Sequence, residues 1–321
     1  MSTATPVPET RDLEGDDARR TIRSCGRWQL VRDAFIRLRS ADGFSHARSL
    51  AFLSALLLVE AIISLVGFAT AMGSSEVSQV IVRTLKAAAP GPAGDFLTQT
   101  VTQAHRTGAT HRYAGLLFGL VAALISGSTW FGQIERGFNR VYGVEQDRPT
   151  LLKYGLAFLL TVSVGVLTSF AFAALAFGHT IGDSLRNDAL SSAWSILRWP
   201  LGLAVLTLGV TLLLRVSPRR RQPHPSWLVF GALVTVVLWT LCTIGLGAFF
   251  SWSSSFGETY GPLAGVLALL LWAFLSAITI LLGAAVAAQL EAIRHGVDEP
   301  RDEEKIAQSE PPSQVLTNAG N

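Results

Sequence analysis

Six long apolar stretches, separated by polar connections, set the pattern of this chain. The most decisive is Leu263–Leu290, 28 residues with no charge before Glu291. As a helix it is about 42 Å long at 1.5 Å per residue, and about 20 apolar residues already cross a bilayer. The other five are Ser49–Gly73, Tyr113–Phe131, Tyr154–Phe177, Trp199–Leu214 and Trp227–Phe250. The fourth of the six, Trp199–Leu214, holds only 16 residues, so it must borrow length from residues 193–197 with Arg198 snorkelling, or lie protected inside a bundle. Pro200 stands near its start, where proline is tolerated. The expectation is an all-α, polytopic membrane protein with six transmembrane helices and short interfacial amphipathic helices.

The amphipathic pieces lie between and before these stretches. Trp28, Val31, Phe35 and Leu38 form one helical stripe, with Arg32, Asp33, Arg37 and Arg39 around it. That pattern predicts a helix lying on the membrane surface, aromatic face down, ahead of the alternative of a helix packed on another cytoplasmic segment. In residues 74–113, Val77, Val80, Ile81 and Leu85 form a second stripe and Phe96, Leu97 and Val101 a third, divided at Ala89-Pro90-Gly91-Pro92. The connection after the second span carries Ile134, Phe138, Val141 and Tyr142 as a further amphipathic run. Residues 1–27 and 296–321 are polar and proline-containing and read as disordered tails. Residues 28–295 then form the membrane domain.

Composition agrees: 50% of residues are hydrophobic, only 15% are charged, and the mean hydropathy is +0.40. A soluble domain carries nearer a quarter charged residues. The two cysteines, Cys25 and Cys242, sit in unlike surroundings and imply no disulfide. Of the 26 Lys and Arg, twenty fall in residues 1–48, 132–153, 215–224 and the C-terminal end. Basic residues stay on the cytoplasmic side, so both termini are expected in the cytoplasm.

Enzyme signatures are missing from the sequence. The six histidines are scattered without a helical i, i+4 pair, and there is no CxxC, G-x-S-x-G or Walker motif. No catalytic residue, metal, cofactor or nucleic-acid partner is therefore expected. Hydroxyl residues cluster in the spans, as in Ser126, Ser128 and Thr129, or Thr235, Thr240 and Thr243. They read either as interhelical or own-helix hydrogen-bonding groups or as the lining of a polar cavity. Glu60 is the one charged residue well inside any span, close to the centre of Ser49–Gly73. A carboxylate there costs roughly 2.5–3.5 kcal/mol on insertion scales. It is expected to face the bundle interior, protonated much of the time, and bond hydroxyls from other spans, either as a structural group or, in a wet cavity, as the candidate proton-coupling or substrate-binding group. A weaker pattern is F-G-x-T-x-G, found at 177–182 and again at 256–261, which predicts that spans three–four and five–six are related hairpins.

Three places in the chain carry a family likeness. They are Ser49-Leu50-Ala51-Phe52-Leu53-Ser54, the run Gly137-Phe138-Asn139-Arg140-Val141-Tyr142-Gly143-Val144 followed by Arg148-Pro149, and Tyr260-Gly261 with Gly265, Leu271-Trp272 and Leu282-Gly283-Ala284 after it. In this order and spacing they resemble the YihY/BrkB family of bacterial inner-membrane proteins, over about residues 28–294. The resemblance marks Asn139, Arg140, Tyr142, Gly143, Tyr260, Gly261, Trp272 and Gly283 as motif positions. Many members have a proline about where Glu60 stands, so this chain departs from the family there. The resemblance implies a multi-pass inner-membrane protein with membrane lipids as partners. Transport or flipping of an envelope lipid or solute ranks first among its activities, a non-transporting scaffold second, and the ribonuclease label of some members a distant third.

Overall fold

The computed structural model describes residues 2–10, 12–71, 75–110, 113–164, 166 and 188–302. They form eleven helices: α1 (Gly15–Ser24), α2 (Arg27–Ser40), α3 (Gly43–Ala71), α4 (Ser75–Ala88), α5 (Pro92–Thr110), α6 (Ala114–Val141), α7 (Thr150–Val164), α8 (Asp188–Val216), α9 (Pro225–Trp252), α10 (Ser254–Tyr260) and α11 (Ala264–Arg294). Four of these, α3, α6, α9 and α11, are long and apolar enough to cross a membrane. Within the third and fourth expected spans, Thr150–Val164 and Gly202–Val216 are apolar and helical. The rest of the third span, and the 177–182 copy of F-G-x-T-x-G, lie outside the described residues.

The helix sides are apolar and exposed. Leu117, Phe118, Val121 and Ile125 on α6, and Val237, Leu241 and Ile244 on α9, all face outward. Such a surface is stable only against lipid. Burial instead concentrates in two cores at opposite ends. One end, here called proximal, gathers the start of α3, the ends of α6, α8 and α11, and the start of α9 around Leu50, Phe138, Leu214, Trp227 and Leu281. The distal end gathers the end of α3, both α4 and α5, the end of α9 and the start of α11 around Val66, Ile81, Leu97, Phe250 and Leu269.

Several boundaries differ from the sequence reading. The second span does not end at Phe131: α6 runs on to Val141, and the run Ile134, Phe138, Val141 is its buried final face. Gly143 stops it, with φ of 73°, a left-handed conformation that glycine adopts without strain. A side chain there would also strike Pro6. Helix α8 is continuous from Asp188, so Pro200 lies inside it rather than near its start, where its missing N–H deletes one backbone bond. The polar turn before the last span contains a short helix of its own, α10. Helices α4 and α5 form as the two stripes predict, with the break at Ala89–Gly91.

The N-terminal residues are not a disordered tail. Ala4, Val7, Leu13 and Ala18 are part of the proximal core. Residues 3–7 run under the bundle as a strap: the Thr3 N–H bonds the Ser40 carbonyl (2.9 Å), the Val7 N–H that of Tyr142 (3.1 Å), and the Thr5 N–H that of Pro300 (3.3 Å). Four apolar side chains inside a polar segment supply the burial that holds it. Helix α2 buries Leu30, Ala34 and Leu38, while Trp28, Val31 and Phe35 stay exposed on its other face. The membrane-facing stripe expected of this helix therefore holds only three of its four residues, and Leu38 belongs to the core.

Candidate functional site

The sequence-marked positions do not converge on one site. Asn139, Arg140, Tyr142 and Gly143 lie together at the proximal end, where the end of α6 meets the α8–α9 connection, α2 and the end of α11. Gly283 lies in the α9–α11 crossing: a side chain on it would strike Thr235 and the carbonyl of Gly231. Trp272 is a packing residue whose indole N–H donates to Thr243 Oγ1 (3.1 Å). Tyr260 and Gly261 are at the distal end, the Tyr260 ring tilted against that of Phe256 with centroids 4.8 Å apart and Gly261 in the left-handed region at φ 50°.

The proximal cluster is built from buried charge. Arg37 is fully buried on α2. Its Nε donates to Gln289 Oε1 (2.7 Å), and its Nη1 donates to the carbonyls of Thr5 (2.8 Å) and Val141 (3.3 Å). Arg220 donates through both terminal nitrogens to Glu291, at 3.0 and 2.8 Å, and both side chains are closed to solvent. The Arg220 guanidinium also lies 4.5 Å over the Tyr142 ring, a cation–π contact. Burial pulls the Arg37 guanidinium down to about 10, Arg220 adding to the pull against Tyr142 and Glu291. Burial pushes the Tyr142 phenol up.

A second layer ties two connections together. Asn139 donates to Asp147 (3.0 Å) and accepts the Arg219 backbone N–H (2.7 Å). Arg148 pairs with Glu135 (3.0 Å) and donates to the carbonyls of Val216, Ser217 and Pro218. Asp147 also receives Lys153 (3.1 Å) and Arg136 (3.2 Å). Burial pushes the Asp147 carboxyl up, but the bonds from Asn139 and Lys153, joined by Arg136, outweigh it and hold the group at about 2. Arg140 turns back to the carbonyls of Val144 and Glu145. The motif thus makes a brace: every polar group named here holds another segment in place.

Sequence reasoning missed Arg37, Gln289, Glu291, Arg219 and Arg220. One signal was available for Arg37. It falls among Leu30, Ala34, Leu38 and Ala41, a second helical stripe whose apolar members are buried.

Inside the spans, most hydroxyls bond their own helix. Ser128, Thr129, Thr161, Ser163, Thr207, Thr211 and Thr240 each donate to the carbonyl four residues back. Bonds between helices include three indole pairs, Trp130 to Ser54, Trp239 to Ser276 and Trp272 to Thr243, and Thr235 to the Thr279 carbonyl.

Glu60 is half-buried on α3. Its Oε2 is closed off and has no hydrogen-bond partner, so the bonds to other spans expected of it are not made through this oxygen. Its level follows from the α3–α6 register. A Cβ on Gly119 would lie 2.7 Å from the Ser64 nitrogen, one on Gly67 would lie 2.8 Å from the Leu116 Cα, and Trp130 bonds Ser54 at 2.8 Å. Antiparallel pairing then places Glu60 level with Ala123 and Leu124, a turn from Gly127, where α7 enters through Thr161. Two cavities open at the distal end. One of about 500 Å³ lies between α4 and α5, and one of about 230 Å³ between α5 and the start of α11. Among the described residues, no three His, Cys, Asp or Glu side chains gather as a metal-binding group.

A helical bundle with apolar sides and several apolar, membrane-length helices defines a multi-pass membrane protein. Residues 34–308 match the family described as Virulence factor BrkB, and the chain belongs to that family. YfkH of Bacillus subtilis (strain 168), described as a ribonuclease-like protein, is 26% identical over 275 residues, 84% of this chain and 98% of its own length. A UPF0761 membrane protein of Xanthomonas oryzae pv. oryzae (strain PXO99A) is 29% identical over 185 residues, and one of Stenotrophomonas maltophilia (strain R551-3) is 28% identical over 187. Each of these two alignments spans 55% of this chain and 41% of the relative. No solved structure matches the chain.

Proposed function

We propose that this protein moves an envelope lipid or solute across the bacterial inner membrane, with its proximal end in the cytoplasm. Glu60 carries the reading. An ionisable group at mid-span is costly and defaults to a functional role, and this one has a buried oxygen without a partner. A purely structural carboxyl would be tied to a neighbour, as Glu135 and Asp147 are. The two ends also differ in a way that suits alternating access: the proximal end is cross-braced, while cavities open at the distal end. The orientation rests on the arginines concentrated at the proximal end.

Glu60→Gln tests the reading, because it keeps shape and hydrogen-bonding capacity but cannot ionise. The expected result is a folded protein that no longer complements a deletion strain or moves its cargo in proteoliposomes. Full activity of this variant removes Glu60 from any proton or substrate step. The second reading, a non-transporting scaffold, draws on the dense bracing of the proximal end, which suits a rigid platform. It expects Glu60→Gln to be silent and variants of the brace to be the harmful ones.

A further inference from the structure

The cavity between α4 and α5 is lined by Gln79 and Arg83 from one helix and Thr102, His105 and Arg106 from the other. We propose that it binds a phosphate-type oxyanion, carried on an amphiphile seated at the distal membrane surface. The two helices turn their apolar faces into the distal core through Ile81, Leu85, Leu97 and Val101. Their polar faces meet across the cavity as i, i+4 pairs, Gln79 with Arg83 and Thr102 with Arg106.

Arg83 and Arg106 have no ion pair or hydrogen bond among the described residues. This sets them apart from the proximal Arg37, Arg136, Arg140, Arg148, Arg219 and Arg220, all of which hold a carboxylate, a carbonyl or a side-chain amide. Two unpaired guanidiniums facing one cavity are fitted to an anion that takes forked N–H bonds, and phosphate oxygens match that fork. The volume of about 500 Å³ lies within the range of small-molecule sites. Val82 and Val101 add an apolar wall. Helix α5 packs on α6, whose first turns expose Tyr113, Leu117 and Phe118. The apolar wall of Val82 and Val101 beside the two guanidiniums favours an amphiphile over a free ion.

The site stands on its own geometry and holds whether or not the chain moves its ligand, so it is tested apart from Glu60. Binding of dihexanoyl phosphatidylglycerol to the full chain in an uncharged detergent is measured by thermophoresis, with inorganic phosphate as the second probe. Saturable binding of the lipid is expected, weakened at least tenfold in Arg83→Gln/Arg106→Gln and unchanged in Arg39→Gln, whose side chain is exposed on α2. The Arg83→Lys/Arg106→Lys variant keeps the charge and loses the fork, and is expected to fall between. Both arginine sites are on the surface, and circular dichroism checks that the variants are folded. Inorganic phosphate binding as tightly as the lipid, with the same arginine dependence, assigns the site to the free ion and keeps the oxyanion chemistry. Binding that the double glutamine variant retains in full, or no saturable binding of either probe, overturns the proposal.

Discussion

Arg220 grips Glu291 with both terminal nitrogens, joining the α8–α9 connection to the last turn of α11 in a place closed to water. Removing one partner of such a pair leaves the other buried and unpaired, which costs about 3–5 kcal/mol. Arg220→Met and Glu291→Leu are each expected to lose about that much in denaturant unfolding of the purified protein. The double variant is expected to recover most of it, because apolar groups can fill the space of a buried pair. Single variants as stable as the parent disprove the bracing role.

Helices α9 and α11 touch through Gly231 and Gly283. Gly283→Val places a branched side chain against Thr235 and the Gly231 carbonyl. Overpacking of this kind costs roughly 1–3 kcal/mol, read as lower thermal stability in detergent. Gly245→Ala, on the open side of α9 with nothing within 4 Å, is expected to cost nothing and serves as the comparison.

Asp147 gives a pH signature. Its carboxyl is held at about 2 against the ordinary 3.8, so the folded protein binds the proton less readily than the unfolded chain. Its contribution to stability is therefore complete above 3.8 and is lost as pH falls toward about 2. Asp147→Asn lowers stability at neutral pH and flattens that part of the acid profile. A thermal-unfolding series from pH 7 downward checks this, and identical acid profiles for the two proteins count against it.

The orientation is open to cysteine labelling in a Cys25→Ser/Cys242→Ser background. Arg221→Cys is the reporter at the proximal end, since Arg221 is exposed whereas the neighbouring Arg220 side chain is buried and would be silent on either side. A membrane-impermeant maleimide is expected to spare Arg221→Cys in intact cells and to label it after lysis. Gln103→Cys, exposed on α5, is expected to react in intact cells. The opposite pattern inverts the protein.

Apolar run length was enough to find α3, α9 and α11, because a membrane span is a property of a window and not of its neighbours. The stripes of α4 and α5 were readable for the same reason, with Pro90 and Gly91 as the break. The brace was not readable. Arg37 and Arg220 counted only as positive charge in the topology argument, yet each is buried by residues far away in the chain, Gln289 for Arg37 and Tyr142 for the Arg220 ring contact. Only the fold brings those partners together. The N-terminal segment was misread on composition: Ala4, Val7, Leu13 and Ala18 are too few to register against polar neighbours, but each finds the core. Glu60 was legible as an anomaly, whereas its missing partner was not.

The strap beneath the bundle sets an order of assembly. Residues 3–5 leave the ribosome long before their partners at Pro300 and Asp302, which follow every described helix. The proximal end therefore closes only after every span has been threaded into the bilayer, and an incompletely inserted chain advertises itself by a loose N-terminus. Chains halted before residue 298 should yield residues 2–8 to added protease more readily than chains that extend past residue 302, because they lack the bonds to Pro300 and Asp302 that complete the strap.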